Sequence, residues 1–235
     1  MRILLKNRAL LKISGKDSEE FIQNQFSNDI EKLNHSSIQI NAYCQHQGKI
    51  IGLFWVMRYE DNFLLSFPID LADVIKSRLQ IFVIMSDVII DDISASYSQI
   101  GLIDEKHSNA YSINDRLSLI IDNTIDKFNS KIEGDTEWTL ACIKSSLPEV
   151  FLATSEKFVP QMLNLDIDEL GVSFSKGCYP GQEVVARLHY LGSAKRRLFS
   201  FQSDYEMQVG DSLYCATSKT ALARGDRYKG SGIVV

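Results

Sequence analysis

Residues 175–187 read SKGCYPGQEVVAR and place a single cysteine, Cys178, between two glycines. Pro180 and Gly181 suit the two central positions of a type II turn, because the second of these positions has a positive φ that glycine accepts without strain. Gly177 and Gly181 also let the backbone approach another group closely. The pattern predicts that Cys178 lies on a tight loop.

The neighbours of this cysteine suggest a chemical role. Lys176 stands two residues before Cys178, and a cation near a partly exposed thiol favours the thiolate, which attacks electrophiles and binds soft metals. Gln182 and Glu183 offer hydrogen bonds that would order the loop, and the apolar run 184–186 predicts a direct return into the core. Cysteine is also among the most buried residue types. Spacing alone therefore leaves a reactive and a structural reading open.

Composition narrows the class of protein. A chain of 235 residues with 45% hydrophobic residues can bury a core without disulfides or metals. No cysteine forms a CxxC pair or has a histidine at ligand spacing, so neither a disulfide framework nor a structural zinc site is expected. The first residues resemble no secretory or transit segment, and the longest apolar runs are far shorter than the about 20 residues that span a bilayer. We therefore expect a cytoplasmic protein without membrane contact. The cysteines are Cys44, Cys142, Cys178 and Cys215.

Charge is unevenly distributed. The net charge is −5, yet the segment from Arg187 to the end holds eight Lys/Arg and four acids, so the remainder carries −9. The basic residues Arg187 and Lys195, Arg196 and Arg197 could meet an anionic ligand or RNA, although a solvated surface is the plainer reading. Because the rest of the chain is acidic, direct nucleic-acid binding is the least expected of the functions considered.

Hydrophobic periodicity predicts α+β layers with a mostly antiparallel sheet. A first strand is predicted before a helix at 17–33, where Asp17 and Glu20 form a capping pattern. Further helices are predicted at 70–82, with Asp70 as the cap, and at 137–146. A hairpin is predicted from strands 50–57 and 63–67. Further strands are predicted at 88–93, 96–103, 117–121, 197–202, 212–215 and 232–235.

The cysteine segment is similar to the KGCYxGQE signature of one protein family, and four other segments match that family in the same order. The chain thereby resembles the YgfZ family from residue 3 to about residue 200. This family comprises folate-binding proteins that support iron–sulfur enzymes and are relatives of the glycine-cleavage T-protein. The additional matches are Ile13–Asp17 with Phe21, Gln23, Gln25, Asn28 and Asp29; Gly48–Ile50; Pro160, Gln161 and Asn164–Asp166; and Tyr190, Gly192, Lys195, Arg196 and Leu198.

The resemblance implies a T-protein-like α+β fold. Residues 1–190 would form a folate-binding module of interlocked subdomains, one of them ferredoxin-like, around a central channel, and 191–235 a short, partial C-terminal β-barrel that is either minimal or truncated. The implied function is that of a folate-binding accessory protein for iron–sulfur cluster assembly or repair, which supports iron–sulfur enzymes such as those that thiolate tRNA. The implied cofactor is tetrahydrofolate or a derivative, and the implied partners are iron–sulfur enzymes or assembly proteins. A lone thiolate could hold only a transient iron–sulfur species shared with a partner or glutathione, because a cluster normally takes four ligands.

Site residues follow from the same resemblance. Trp138 matches a tryptophan that contacts folate, and its indole is a flat apolar surface on which a pterin can stack; without the resemblance a core position would be favoured. Arg8 stands where the family has another tryptophan, and a guanidinium can also stack on a ring. Lys144 replaces a carboxylate that would grip the pterin. The resemblance implies that Cys178 and Lys176 are the reactive pair. The other residues of the motif loop are Gly177, Tyr179, Gly181, Gln182, Glu183 and Arg187. Folate would be contacted by Trp138, Arg8, Asn28 and Asp29, and no metal site of the protein's own is expected.

A folate-dependent one-carbon (aminomethyl) transferase is the alternative. T-proteins with that activity carry acids just after the glycine turn, where a carboxylate acts on the reacting amine. Here the corresponding positions are Gly52 and Leu53, which cannot transfer protons. Aminomethyltransferase activity is therefore not expected.

Overall fold

The computed structural model describes residues 1–84, 86–123, 135–202, 208–214, 221–228 and 231–234. Within these ranges the helices are α1 (Ser18–Gln25), α2 (Ala72–Ile81), α3 (Asp135–Lys144) and α4 (Gln182–Leu191). The strands in the same ranges are β1 (Arg2–Leu4), β2 (Arg8–Ser14), β3 (Gln39–Cys44), β4 (Ile50–Tyr59), β5 (Asn62–Pro68), β6 (Ile89–Asp92), β7 (Ser98–Ile103), β8 (Tyr111–Ser112), β9 (Leu117–Asp122), β10 (Phe199–Gln202), β11 (Ser212–Tyr214), β12 (Ala221–Tyr228) and β13 (Ser231–Val234).

The largest sheet has the strand order β3-β4-β5-β2-β6, and all of its pairings are antiparallel. Four of its strands and two helices follow one another as β2-α1-β4-β5-α2-β6, which is the ferredoxin-like βαββαβ order; β3 adds an edge strand. The predicted hairpin is confirmed, because β4 and β5 pair from Trp55 with Ser66 to Tyr59 with Asn62.

Both faces of this sheet are covered. The ring centroids of Phe26, at the end of α1, and Phe54 of β4 lie 4.9 Å apart, and Ile75 of α2 packs against Gly52 of the same strand. Since side chains alternate along a strand, Trp55 points to the opposite face, where it meets α3. The sheet therefore separates the two helices α1 and α2 from α3.

Two smaller sheets complete the described structure. One of them has the strand order β1-β7-β9-β8. An isolated bridge between Ser37 and Ser112 connects this sheet to the segment just before β3. The order β10-β13-β12-β11 forms the other near the C-terminus. No helix in the described ranges exceeds ten residues, and none has the length and apolar content needed to cross a bilayer.

The predicted first two helices are wrong in their details. Helix α1 ends at Gln25 instead of residue 33, because the Ser27 hydroxyl and the Asn28 amide bond to backbone groups instead of facing solvent. The carboxylate of Asp70 does not cap α2; it accepts a hydrogen bond from the amide of Leu152. A local cap is lost here because a partner distant in sequence competes for the same carboxylate.

Other predicted elements are confirmed with shifted ends. The strands predicted at 88–93, 96–103, 117–121 and 197–202 correspond to β6, β7, β9 and β10, and the helix predicted at 137–146 to α3. The strands predicted at 212–215 and 232–235 correspond to β11 and β13, but Cys215 and Val235 lie outside the described residues. Strand β2 corresponds to the predicted first strand, whereas strands β1, β3, β8 and β12 and helix α4 were not predicted.

Candidate functional site

Cys178 lies on the predicted turn. The amide of Gln182 donates to the carbonyl of Tyr179 at 3.2 Å, and Gly181 has φ 81° and ψ 0°, the values of the third residue of a type II turn. The Cys178 side chain is exposed, and a Cβ at Gly177 would have no neighbour within 4 Å. The turn prediction is confirmed, and the thiol faces open space.

A second tight turn supports the cysteine turn. A Cβ on Gly181 would clash with the carbonyl oxygen of Gln45 and lie 2.8 Å from the Cα of Gly48. Gly48, with φ 75°, belongs to the turn between β3 and β4, where its amide donates to the carbonyl of Gln45 at 2.8 Å. Only a residue without a side chain allows this approach, so Gly181 sets both the shape and the seating of the turn.

Lys176 holds the other side of the loop. Its buried ammonium donates to the carbonyl oxygens of Gln23 at 2.5 Å, Phe26 at 2.6 Å and Asn28 at 3.1 Å. Carbonyls at the end of a helix have no partner within the helix, and a cation there also suits the helix dipole. An ammonium has three N–H donors, so all of them are used. These contacts make Lys176 a clamp between α1 and the loop and leave it no donor for the thiol of Cys178.

Burial shapes the ionisation of the groups beneath the loop. It lowers the pKa of Lys176 to about 8, while the Asp29 carboxylate opposes this shift. Burial is also the main reason that the pKa of Tyr179 is raised, with a smaller contribution from Cys44, and it raises the pKa of Cys44 to about 12. The Tyr179 phenol and the Cys44 thiol are therefore neutral near pH 7, and the ammonium lies 5.4 Å from the centroid of the tyrosine ring.

The chain leaves the turn as a helix, which corrects the prediction that the run 184–186 returns directly to the core. Gln182 and Glu183 open α4, and of the three following residues Val185 is buried while Val184 is exposed. The Glu183 carboxylate accepts a hydrogen bond from Arg187 at 2.6 Å. This acid–base spacing of four residues is a helical signal that the sequence interpretation missed.

A third segment fixes α4. The side-chain amide of Gln161 donates to the carbonyl of Val185 at 2.7 Å, and Arg197 binds both the Gln161 carbonyl and the Asp166 carboxylate. Parts of the segments that carry the family resemblance, around Gln23–Asn28, Gly48 and Gln161, thus converge around the Cys178 loop, although they are up to 153 residues away from it in sequence.

Two predicted folate residues come together elsewhere. The guanidinium carbon of Arg8 lies 3.8 Å from the centroid of a Trp55 ring and the group is ion-paired with Glu149. Trp138, only 4% exposed, packs one ring face on Gly101, where a Cβ would lie 2.5 Å from the ring. The rings of Trp55 and Trp138 are 6.1 Å apart. Trp55 contacts both Arg8 and Trp138 but was not predicted as a site residue, because its position in the apolar run of β4 is like that of any core residue.

The other predicted folate residues lie by the Lys176 clamp and satisfy one another. Asn28 donates to the carbonyl of Ile40 at 3.1 Å and accepts from the amide of Asp29 at 2.8 Å. The Asp29 carboxylate accepts from Gln23 at 2.8 Å. In the described ranges no hydrogen bond, ion pair or ring contact joins the Cys178 loop to the group around Trp55. The predicted site residues therefore form two separate groups.

Comparisons with known proteins agree with the resemblance. No family model matches the chain. An uncharacterized protein of Haemophilus influenzae is 30% identical over 220 residues, covering 90% of this chain and 77% of its own length. The tRNA-modifying protein YgfZ of Colwellia psychrerythraea is 29% identical over 87% of this chain and 72% of the relative, and that of Enterobacter sp. is 29% identical over 99% and 79%.

A solved structure shows the fold. The glycine cleavage system aminomethyltransferase T of Bartonella henselae superposes with a TM-score of 0.68 over 99% of this chain and 77% of that chain, at 10% identity. The predicted T-protein-like fold is thereby confirmed, while an identity this low says nothing about activity. Together with the similarity to the tRNA-modifying proteins over most of the sequence, these findings establish that the chain belongs to the YgfZ family.

Proposed function

We propose that this chain is a cytoplasmic accessory protein that supports tRNA modification by iron–sulfur enzymes and that the Cys178 thiol is its reactive group. The relatives named tRNA-modifying protein YgfZ support the role in tRNA modification. The observation that carries the proposal is the exposed thiol on a turn seated against the Gly48 turn and clamped to α1 by Lys176. Such a turn presents a sulfur atom to a partner in a fixed position.

Accessibility distinguishes Cys178 from the other described cysteines. Cys44 and Cys142 are buried; burial raises the pKa of both thiols, and for Cys142 the nearby Glu149 adds to the effect. Neutral buried thiols are inert, whereas an exposed one can react with a partner. In the cytoplasm it would also remain reduced. Lys176 then acts in the proposal by positioning the loop.

The iron–sulfur part of the proposal requires a partner. The described residues contain no group of three or more His, Cys, Asp or Glu side chains that could hold a metal ion, and clusters are normally held by four protein ligands. We infer that Cys178 acts on a cluster whose other ligands belong to the client enzyme, an assembly protein or glutathione.

The folate part has less support from the side chains. Trp138 and Arg8 already pack against Gly101, Trp55 and Glu149, and Asn28 and Asp29 bond to each other and to neighbouring backbone. These four residues do not fit an open pterin site in this conformation, and we derive no step through folate. Titration of tetrahydrofolate with tryptophan fluorescence tests it directly: saturable quenching that Trp138→Phe abolishes would support folate as cofactor, and no saturable change would remove it.

The aminomethyltransferase alternative is not proposed, although the fold is that of an aminomethyltransferase. Gly52 packs against Ile75 and Leu53 is buried in β4, so neither position offers a carboxylate for proton transfer.

The proposed function is tested in a strain that lacks its own copy of the protein. We expect the wild-type chain to restore thiolated tRNA and Cys178→Ala to leave it at the level of the empty vector, at equal protein abundance and melting temperature. Cys142→Ala, which removes a thiol elsewhere, serves as the control and should restore it. Full restoration by Cys178→Ala would refute the role of the thiol.

A further inference from the structure

An aromatic cluster is formed by Phe174 and two exposed residues of α4, His189 and Tyr190. The rings of Phe174 and His189 stack with centroids 3.8 Å apart at 18°. The ring of Tyr190 meets His189 edge to face at 4.8 Å and Phe174 at 6.0 Å. Tyr190 is 65% exposed and His189 is exposed as well. The cluster thus holds two rings at the surface by packing them on a third.

The cluster continues into a strip along the exposed side of α4. Arg187 precedes Tyr190 by three residues, so both side chains project from the same face of the helix. Val185, only 1% exposed, marks the opposite face, which packs on the protein. The helix begins four residues after Cys178, and Tyr190 lies about 12 Å along its axis from Gln182. The exposed rings are therefore on the same element that leads away from the cysteine turn.

Two exposed cations follow the helix. Lys195 and Arg196 are exposed, and neither forms an ion pair with another described residue. By contrast, Arg197 is paired with Asp166 and Arg187 with Glu183. Lys195 stands five residues after Tyr190, so the backbone between them spans at most about 18 Å. These two cations and the exposed rings are thus close enough for one extended ligand.

We propose that the surface formed by Phe174, Arg187, His189, Tyr190, Lys195 and Arg196, termed the α4 surface, binds single-stranded RNA. Bases stack on exposed aromatic rings, and phosphates are attracted by cations beside them. The expectation against nucleic-acid binding rested on the acidic chain as a whole, whereas the structure exposes two rings at the end of α4 and, at most about 18 Å further along the backbone, two cations without an ion pair to another described residue. This contact goes beyond the proposed function, which requires no RNA to touch the chain.

The test is fluorescence anisotropy with a labelled 12-nucleotide single-stranded RNA of mixed sequence, titrated with the full chain at several salt concentrations. We expect saturable binding at 50 mM salt that Tyr190→Ala weakens about tenfold and that Tyr190→Phe, which keeps a ring, leaves within about twofold. Lys195→Ala with Arg196→Ala should lower the slope of log affinity against log salt by roughly 1.4, because each phosphate contact to a single strand contributes about 0.7. Cys178→Ala should bind as wild type does, which separates this result from the proposed function.

Three results would overturn the inference. They are the absence of saturable binding at 50 mM salt, equal binding by Tyr190→Ala and wild type, and displacement of the RNA by polyglutamate of equal charge as effectively as by unlabelled RNA. The last would assign the α4 surface to an acidic protein partner. Lys6→Ala with Lys16→Ala, two exposed lysines on the N-terminal part of the chain, provides the matched control and should change neither affinity nor slope.

Discussion

Replacing Lys176 by methionine tests the physical basis of the cysteine loop. The variant keeps a long apolar side chain in a position that is only 9% exposed but removes the three N–H donors that hold the carbonyls of Gln23, Phe26 and Asn28. The loop and the end of α1 would then lose their shared contact.

Two opposing effects set the magnitude. A buried acceptor left without its donor costs about 1–3 kcal/mol, so three carbonyls at about 2 kcal/mol each amount to about 6 kcal/mol. The substitution also removes the cost of burying the ammonium. Burial lowers the pKa of Lys176 to about 8, and this shift corresponds to a cost of about 3 kcal/mol. We therefore expect Lys176→Met to lower the free energy of unfolding by about 3 kcal/mol.

Chemical denaturation with urea at pH 7 measures this loss. A change of that size should also lower the melting temperature by about 6–12 °C. The control is Lys49→Met, because Lys49 is an exposed lysine on the facing turn, and its loss should change the free energy of unfolding by less than about 0.5 kcal/mol. If Lys176→Met were as stable as Lys49→Met, the three carbonyl contacts would not hold the loop.

Three further outcomes follow from the same geometry. Gly181→Ala should lower the free energy of unfolding by at least about 2 kcal/mol, because it places a side chain with left-handed backbone angles against the Gln45 carbonyl. The control is Gly177→Ala, whose Cβ would face open space. In the same urea titration it should change the free energy of unfolding by less than about 0.5 kcal/mol. The pKa of Lys176 is lower in the folded than in the unfolded chain, so between about pH 8 and 10.5 the unfolded state binds more protons than the folded state. The free energy of unfolding of the wild type should therefore rise with pH across this window relative to that of Lys176→Met. Parallel pH profiles of the two proteins would contradict the pKa shift. Iodoacetamide followed by peptide mass mapping should label Cys178 before Cys44 and Cys142, and equal labelling of a buried thiol in the folded protein would show that accessibility does not select Cys178.

Much of the fold could be predicted from local pattern. The hairpin of β4 and β5 and the helix α3 were visible because their apolar spacing follows the period of a strand or helix. The type II turn at Pro180 and Gly181 was equally local, since a proline followed by a glycine fixes two backbone angles.

What the sequence could not show depends on partners far away in the chain. Lys176 was expected beside the thiol because the two are neighbours in sequence, but carbonyls 148 to 153 residues away accept the hydrogen bonds that its ammonium donates. Trp138 was expected to stack on folate, yet its ring packs on Gly101. The two residues are brought together only because β7, which contains Gly101, lies in the sheet next to α3. Helix α4 was missed because the short apolar run 184–186 suggested a direct return into the core, whereas Glu183 and Arg187 form a helical pair.

Whether the protein needs the sulfur atom of Cys178 is decided by Cys178→Ser in a strain without its own copy of the protein, with thiolated tRNA quantified by mass spectrometry. Serine changes sulfur to oxygen on an exposed side chain and leaves the turn intact, so the melting temperature should not move. We expect thiolated tRNA to stay at the level of the empty vector; wild-type levels of thiolated tRNA in the Cys178→Ser strain would show that the sulfur atom is not required.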